Sequence, residues 1–205
     1  MAITKFSSSG MSVGSGVTKY DDFLAGNPPY IPSSYESIAT FTGSGTPNNV
    51  TFSSIPSTYK NLQLRMLVNC SAGVGIDDLN SMRIAFNADA TAANYYEHYL
   101  RGNGTAAQAS SQAGTTGGFY MGTVAGGTLS ASYFAVTIID ILDYASTSKN
   151  KTARSFTGGD ANTSGGAVAL QSGGWFSTAA ISSIKILFGG NLTAASSIAL
   201  YGIKG

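Results

Sequence analysis

The 205-residue chain carries 11 Lys and Arg against 10 Asp and Glu, a net charge of +1, which leaves no electrostatic footprint for nucleic acid. Its length suits one domain, with or without an appendage, and is enough to bury a core. A single cysteine, Cys70, excludes an intrachain disulfide framework, and no run of about 18 apolar residues offers a membrane-spanning helix.

Only 10% of the residues are charged and 26 are glycine, so the surface must be mostly neutral and polar, its solubility resting on hydroxyls and amides. Extracellular, viral-surface and fibre-forming proteins share that composition. The first residues, "MAITKFSSSGMSVGSG", lack the apolar centre of a secretory signal, so synthesis in a cytoplasm is expected.

Residues 1–32 read as an extended attachment arm. They are Ser- and Gly-rich at first and then run "VTKYDDFLAGNPPYIP", where Pro28, Pro29 and Pro32 favour polyproline-like backbone. Tyr20, Phe23, Leu24 and Tyr30 give the arm apolar anchors for docking on something else, which a fully solvated tail would not need.

From residue 33 to 205 the chain becomes a series of short alternating segments divided by Gly, Ser, Asn and Thr clusters. "ESIATFT" and "NVTFSSI" come first. In "NLQLRMLV" Leu62, Leu64, Met66 and Val68 share one face and Asn61, Gln63, Arg65 and Leu67 the other, the pattern of a half-buried strand; Met82, Ile84 and Phe86 repeat it in "MRIAF". Then follow "NYYEHYL", "GFYMGTV", "SYFAVTIIDIL", "KTARSFTG", "VALQSGGWFS", "ISSIKILFG" and a closing "SIALYGI", about eleven strands in all. No helical pattern of 10–15 residues links them, so the expected fold is all-β: an antiparallel β-sandwich of jelly-roll type behind the arm. A turn or two of helix is expected near "DDLNSM" or "DATAANYYEHYL". In the last strand, Ile198 and Leu200 fall opposite Ala199, Tyr201 and Ile203, as in a terminus tied into a sheet on both faces.

Motifs for chemistry are sparse. His98 is the single histidine, too few for the usual triad or multi-histidine metal site within one chain, and its place in a strand suits a packed or hydrogen-bonded side chain. "DANTSGG" sets Asp160, Asn162, Ser164 and Gly165 at the spacing of half a calcium loop, but Gln171 stands where a bidentate Glu belongs, so an Asx turn is the expectation. Asp140 and Asp143, three apart in a strand, should point to opposite faces and form no carboxylate pair. No phosphate loop is present, and neither a cofactor nor a metal is expected. Cys70 should be a buried thiol at a strand end. Among the aromatics, Tyr95, Tyr96, Tyr99, Tyr120, Trp175 and Tyr201 are candidates for ligand or subunit contacts, because such rings bury area at low entropic cost.

Taken as an ordered set, "SSYESIATFTGSG", "TFSSIPSTYKNLQLRMLV", "IAFNADATAANYYEHYLRGNG", "IIDILDYASTSKNKTARSFTG", "GGWFSTAAISSIKILFGGN" and "SSIALYGIKG" resemble a family of tail-fibre-like or virion structural proteins of tailed bacteriophages, particularly those of cyanobacteria and other aquatic hosts. The resemblance implies a non-enzymatic, β-rich, oligomeric virion component, with a trimer favoured by analogy, and carries over no ligand residues. It gives two expectations. The first is a tail-associated fibre or host-surface-contacting protein, anchored on other virion proteins by its arm and able to meet host glycan. The alternative is a capsid decoration or cement protein.

Overall fold

Among the described residues thirteen short strands form, against about eleven expected from the alternation, and their pairing decides the architecture. The computed structural model describes residues 34–71, 81–127, 129, 130, 132–162 and 165–205. In chain order the strands are β1 (Tyr35–Thr42), β2 (Asn49–Phe52), β3 (Asn61–Cys70), β4 (Met82–Phe86), β5 (Tyr95–Gly102), β6 (Ala107–Ala113), β7 (Phe119–Gly122), β8 (Ala125–Gly126), β9 (Ala135–Leu142), β10 (Lys151–Asp160), β11 (Gly166–Trp175), β12 (Ile184–Phe188) and β13 (Ser197–Ile203). One 3-10 turn, Ala92–Asn94, precedes β5 in the second of the two places where helix is expected. The first place, "DDLNSM", lies largely outside the described residues, as does the whole arm with Tyr20, Phe23, Leu24 and Tyr30.

The large sheet runs β1-β13-β3-β9-β10-β11-β5-β6, with the short β8 parallel to β3, and the small sheet runs β2-β12-β4-β7. Every other pairing is antiparallel. Following β1, β2, β3, β4, β7, β9, β12 and β13 along the chain, each strand lies in the opposite sheet from the one before, except that β4 and β7 are neighbours in the small sheet. The two four-strand orders, β1-β13-β3-β9 and β2-β12-β4-β7, are those of a jelly roll. Besides the short β8, what remains is two hairpins, β5-β6 and β10-β11, inserted in the chain after β4 and after β9 and joined to the large sheet beyond β9.

Between the sheets the core is built from the expected inward rows. Leu62, Leu64 and Val68 of β3, Ile84 and Phe86 of β4, Ile139 and Ile141 of β9, Ile184 and Ile186 of β12, and Ile198 and Leu200 of β13 are all fully buried. Where the inserted hairpins meet the small sheet, Phe86, Tyr95, Phe119 and Trp175 form an aromatic cluster whose ring centroids stand 5.4–6.5 Å apart. Cys70 is buried at the end of β3, as expected.

The last strand pairs with β1 on one side and β3 on the other. Its inward face is buried, while Ala199, Tyr201 and Ile203 are half-buried, so the terminus is held by its ladders and by one face rather than by both. Gly202 is needed there: a Cβ would stand 2.3 Å from the Tyr59 ring.

Candidate interaction surface

On a sandwich sheet, apolar residues belong inside and polar residues outside. The inserted hairpins reverse this over the middle of their length. On β10 the buried side chains after Lys151 are Ala153, Ser155 and Thr157, while Phe156 points out; on β11 Gln171 is buried and Val168 and Leu170 are exposed.

The buried polar set has a physical reason. β7 is the edge of the small sheet and lies under these hairpins, so its outer backbone groups have no strand partner. Side chains of the large sheet supply the missing bonds: the Tyr120 N–H donates to a Glu97 carboxylate oxygen, and Gln171 Nε2 donates to the Tyr120 carbonyl at 3.3 Å. Gln112 Nε2 donates to the other Glu97 oxygen at 2.5 Å. Burial pushes the Glu97 carboxyl up to about 7, and these two hydrogen bonds only partly oppose the shift. Nearby, the Thr137 and Thr157 hydroxyls share a hydrogen bond of 2.6 Å. Among the described residues no buried side-chain nitrogen or oxygen lacks a partner.

The outer face of the same strands forms straight cross-strand rows. Register aligns Ala109 (β6), Leu100 (β5), Leu170 (β11), Phe156 (β10), Ile138 (β9) and Arg65 (β3) in one row. The next row contains Val168, Gly158, Val136 and Leu67. Leu170, Leu100 and Phe156 are 58%, 55% and 54% exposed, and Val136 and Val168 are half exposed. A shallow open groove of about 1060 Å³ lies over the first row, with β6 along one side. Together the two rows present on the order of 600 Å² of apolar surface, the upper end of what a monomeric protein exposes in one patch.

Polar groups border the patch and satisfy one another. Asp140 accepts from Gln63 Nε2 at 2.8 Å and pairs with Arg154 at 3.3 Å, and Arg65 Nε donates to Gln63 Oε1 at 2.7 Å. The Arg65 guanidinium lies 5.5 Å from the Tyr35 ring centroid and 5.6 Å from that of Tyr201. Beyond this border, Tyr96, His98 and Phe176 flank a smaller depression of about 230 Å³, with the Tyr96 and His98 rings 5.3 Å apart.

Of the six aromatic candidates, Tyr95 and Trp175 are corrected to core residues, 1% and 3% exposed. Both point between the sheets, where the Tyr95 hydroxyl donates to the Asp89 carbonyl and Trp175 Nε1 donates to the Asp89 carboxylate at 2.8 Å. Burial would raise the Asp89 carboxyl, but Trp175, Asn94 and Thr91 donate to it and bring it down to about 2. Tyr96 is exposed on the outer face, Tyr99 and Tyr120 are half-buried, and Tyr201 has Arg65 over its ring. The six candidates do not converge on one site. The sequence reading missed the row of Leu100, Phe156 and Leu170, although their alternation with Tyr99, Ser155 and Gln171 was the available signal.

His98 lies on β5, exposed to solvent with its ring against that of Tyr96. Asp143 lies past the end of β9 at φ 48° and pairs with Lys60 and Lys149, so the expectation that it points across a strand from Asp140 fails because the strand has already ended. Asp160 does form an Asx turn, accepting from the Asn162 N–H at 2.7 Å. Among the described residues no group of three or more His, Cys, Asp and Glu is placed to hold a metal. Comparison of the chain with family models, with curated proteins and with solved structures finds no match.

Proposed function

We propose that the chain is a non-enzymatic structural protein of a tailed-bacteriophage particle, working by assembly. The observation that carries assembly is the reversed polarity of the inserted hairpins, which bury Glu97, Gln171 and Thr157 and expose Leu100, Phe156 and Leu170. The buried polar set serves the single chain by bonding the β7 edge, but exposing Leu100, Phe156 and Leu170 to water brings a lone chain no gain. The particle itself is proposed on the resemblance of the ordered segments from "SSYESIATFTGSG" to "SSIALYGIKG".

Within the particle, the first reading is a tail-associated fibre or host-surface component, attached through residues 1–32. Tyr96, His98 and Phe176 are the exposed rings that would meet host glycan in this reading, gaining strength through multivalency. One observation favours the alternative, a capsid decoration protein: the apolar rows run along the side of the sandwich, as a protein that clamps its neighbours requires.

Gold-tagged antibody against residues 33–205, applied to intact particles and viewed by electron microscopy, tests the proposal. Label on the tail supports the first reading, label over the head supports decoration, and unlabelled particles overturn both.

A further inference from the structure

We infer that the exposed rows on β5, β10 and β11 are a self-association surface, covered by the same face of a second copy of this chain. The inference rests on the reading of this face as one buried on assembly, and it names the occupant.

Three features select a second copy. First, the charges that border the rows are already engaged: Asp140 holds Arg154 and Gln63, and Arg65 donates to Gln63 and lies over the Tyr35 and Tyr201 rings, so like apolar rows can meet without opposing bare charges at their centre. Second, Phe156, Leu170 and Leu100 are neighbours in one row, and a partner turned by a two-fold axis presents the same row in return, as an isologous interface requires. Third, the size is right. On the order of 600 Å² of apolar surface plus its border of hydroxyl and amide groups reaches the roughly 800 Å² that each partner contributes to a standard interface.

Sheet-on-sheet packing also suits the geometry, because two such faces stack about 10 Å apart with their side chains interdigitated. The exposed Leu and Phe side chains that are unfavourable in water then become the interior of a second, intermolecular sandwich. The rings of Tyr35 and Tyr201 around Arg65 lie beyond the apolar rows and form part of the rim.

The full chain at micromolar concentration, followed by sedimentation velocity, tests the inference. Wild type should sediment as a dimer or a multiple of it. The double variants Phe156→Glu/Leu170→Glu and Phe156→Lys/Leu170→Lys should each sediment as monomers with far-ultraviolet circular dichroism like wild type, since both positions are exposed. Mixed together, the two variants should associate again, because opposite charges then face each other across the axis. Thr51→Glu, on the exposed face of the small sheet, should leave the oligomer intact. A monomeric wild type, an oligomer that both double variants preserve, or variants that stay apart when mixed would each overturn the face-to-face assignment. Those results concern the occupant alone, whereas absence of gold label from particles would defeat the virion reading whatever the oligomeric state.

Discussion

Glu97 offers a direct test of how the inserted hairpins hold the small sheet, through the single substitution Glu97→Gln. The carboxyl has an ordinary value of 4.5 and is raised to about 7 in the folded chain, chiefly by burial, so over that window the native state holds a proton that the unfolded state has released. Stability must therefore fall as pH rises from about 4.5 through about 7 and level off above it. At about 1.4 kcal/mol per unit the gap sets a ceiling near 3 kcal/mol, which relaxation and water penetration bring to about 2 kcal/mol. Glutamine keeps an oxygen for the Tyr120 N–H and removes the charge, and Gln112 can turn its amide to match. The variant should equal wild type near pH 5 and exceed it by about 2 kcal/mol near pH 8.5, a rise of roughly 4–8 °C in Tm for a chain of this size. Urea unfolding from pH 5 to 9, followed by fluorescence of the single buried Trp175, measures this directly. Parallel pH profiles for wild type and variant would show that Glu97 is not the titrating group and refute the reasoning.

Other perturbations probe different parts of the structure. Gly202→Ala drives a methyl group into the Tyr59 ring and should cost about 1–3 kcal/mol in urea unfolding; an unchanged midpoint would mean that the ring yields freely. Trp175→Phe keeps an aromatic ring but removes a donor to Asp89, and should cost about 1–2 kcal/mol while raising the Asp89 pKa from about 2, readable by carboxyl NMR titration. Leu64→Ala opens a cavity between the sheets and should cost about 2–5 kcal/mol by thermal unfolding. The Cys70 thiol should react with a thiol reagent only at the rate of unfolding, because it is 2% exposed; rapid labelling of the native protein would contradict its burial.

How much of this was legible depends on which forces act locally. The strands containing Leu62, Leu64 and Met66, or Ile198 and Leu200, announce themselves because each row must be apolar to reach the core, whatever its neighbour. β6, "AQASSQA", was invisible for the opposite reason. It is exposed along nearly its whole length and carries no apolar row, so its strand conformation comes only from its ladder to β5, seven residues long.

The aromatic candidates show the same division. An exposed and a buried tyrosine look alike in sequence: Tyr95 and Tyr96 are adjacent, and only the pairing of β5 with β11 sends one into the core and the other out to the surface. Alternation tells which residues share a face but not which face is inside when both contain apolar groups, as on β10 and β11.

By itself, then, the sequence determined an all-β chain of antiparallel strands with no more than a turn or two of helix, because the period-2 pattern and the turn residues act within a few positions along the backbone. Tertiary structure alone decided the jelly-roll order, the placement of two hairpins beyond β9, and the outward turn of Leu100, Phe156 and Leu170. Those depend on which strands meet across long sequence separations and on the unpaired edge of β7, which draws Glu97 and Gln171 inward and leaves the apolar side chains facing out.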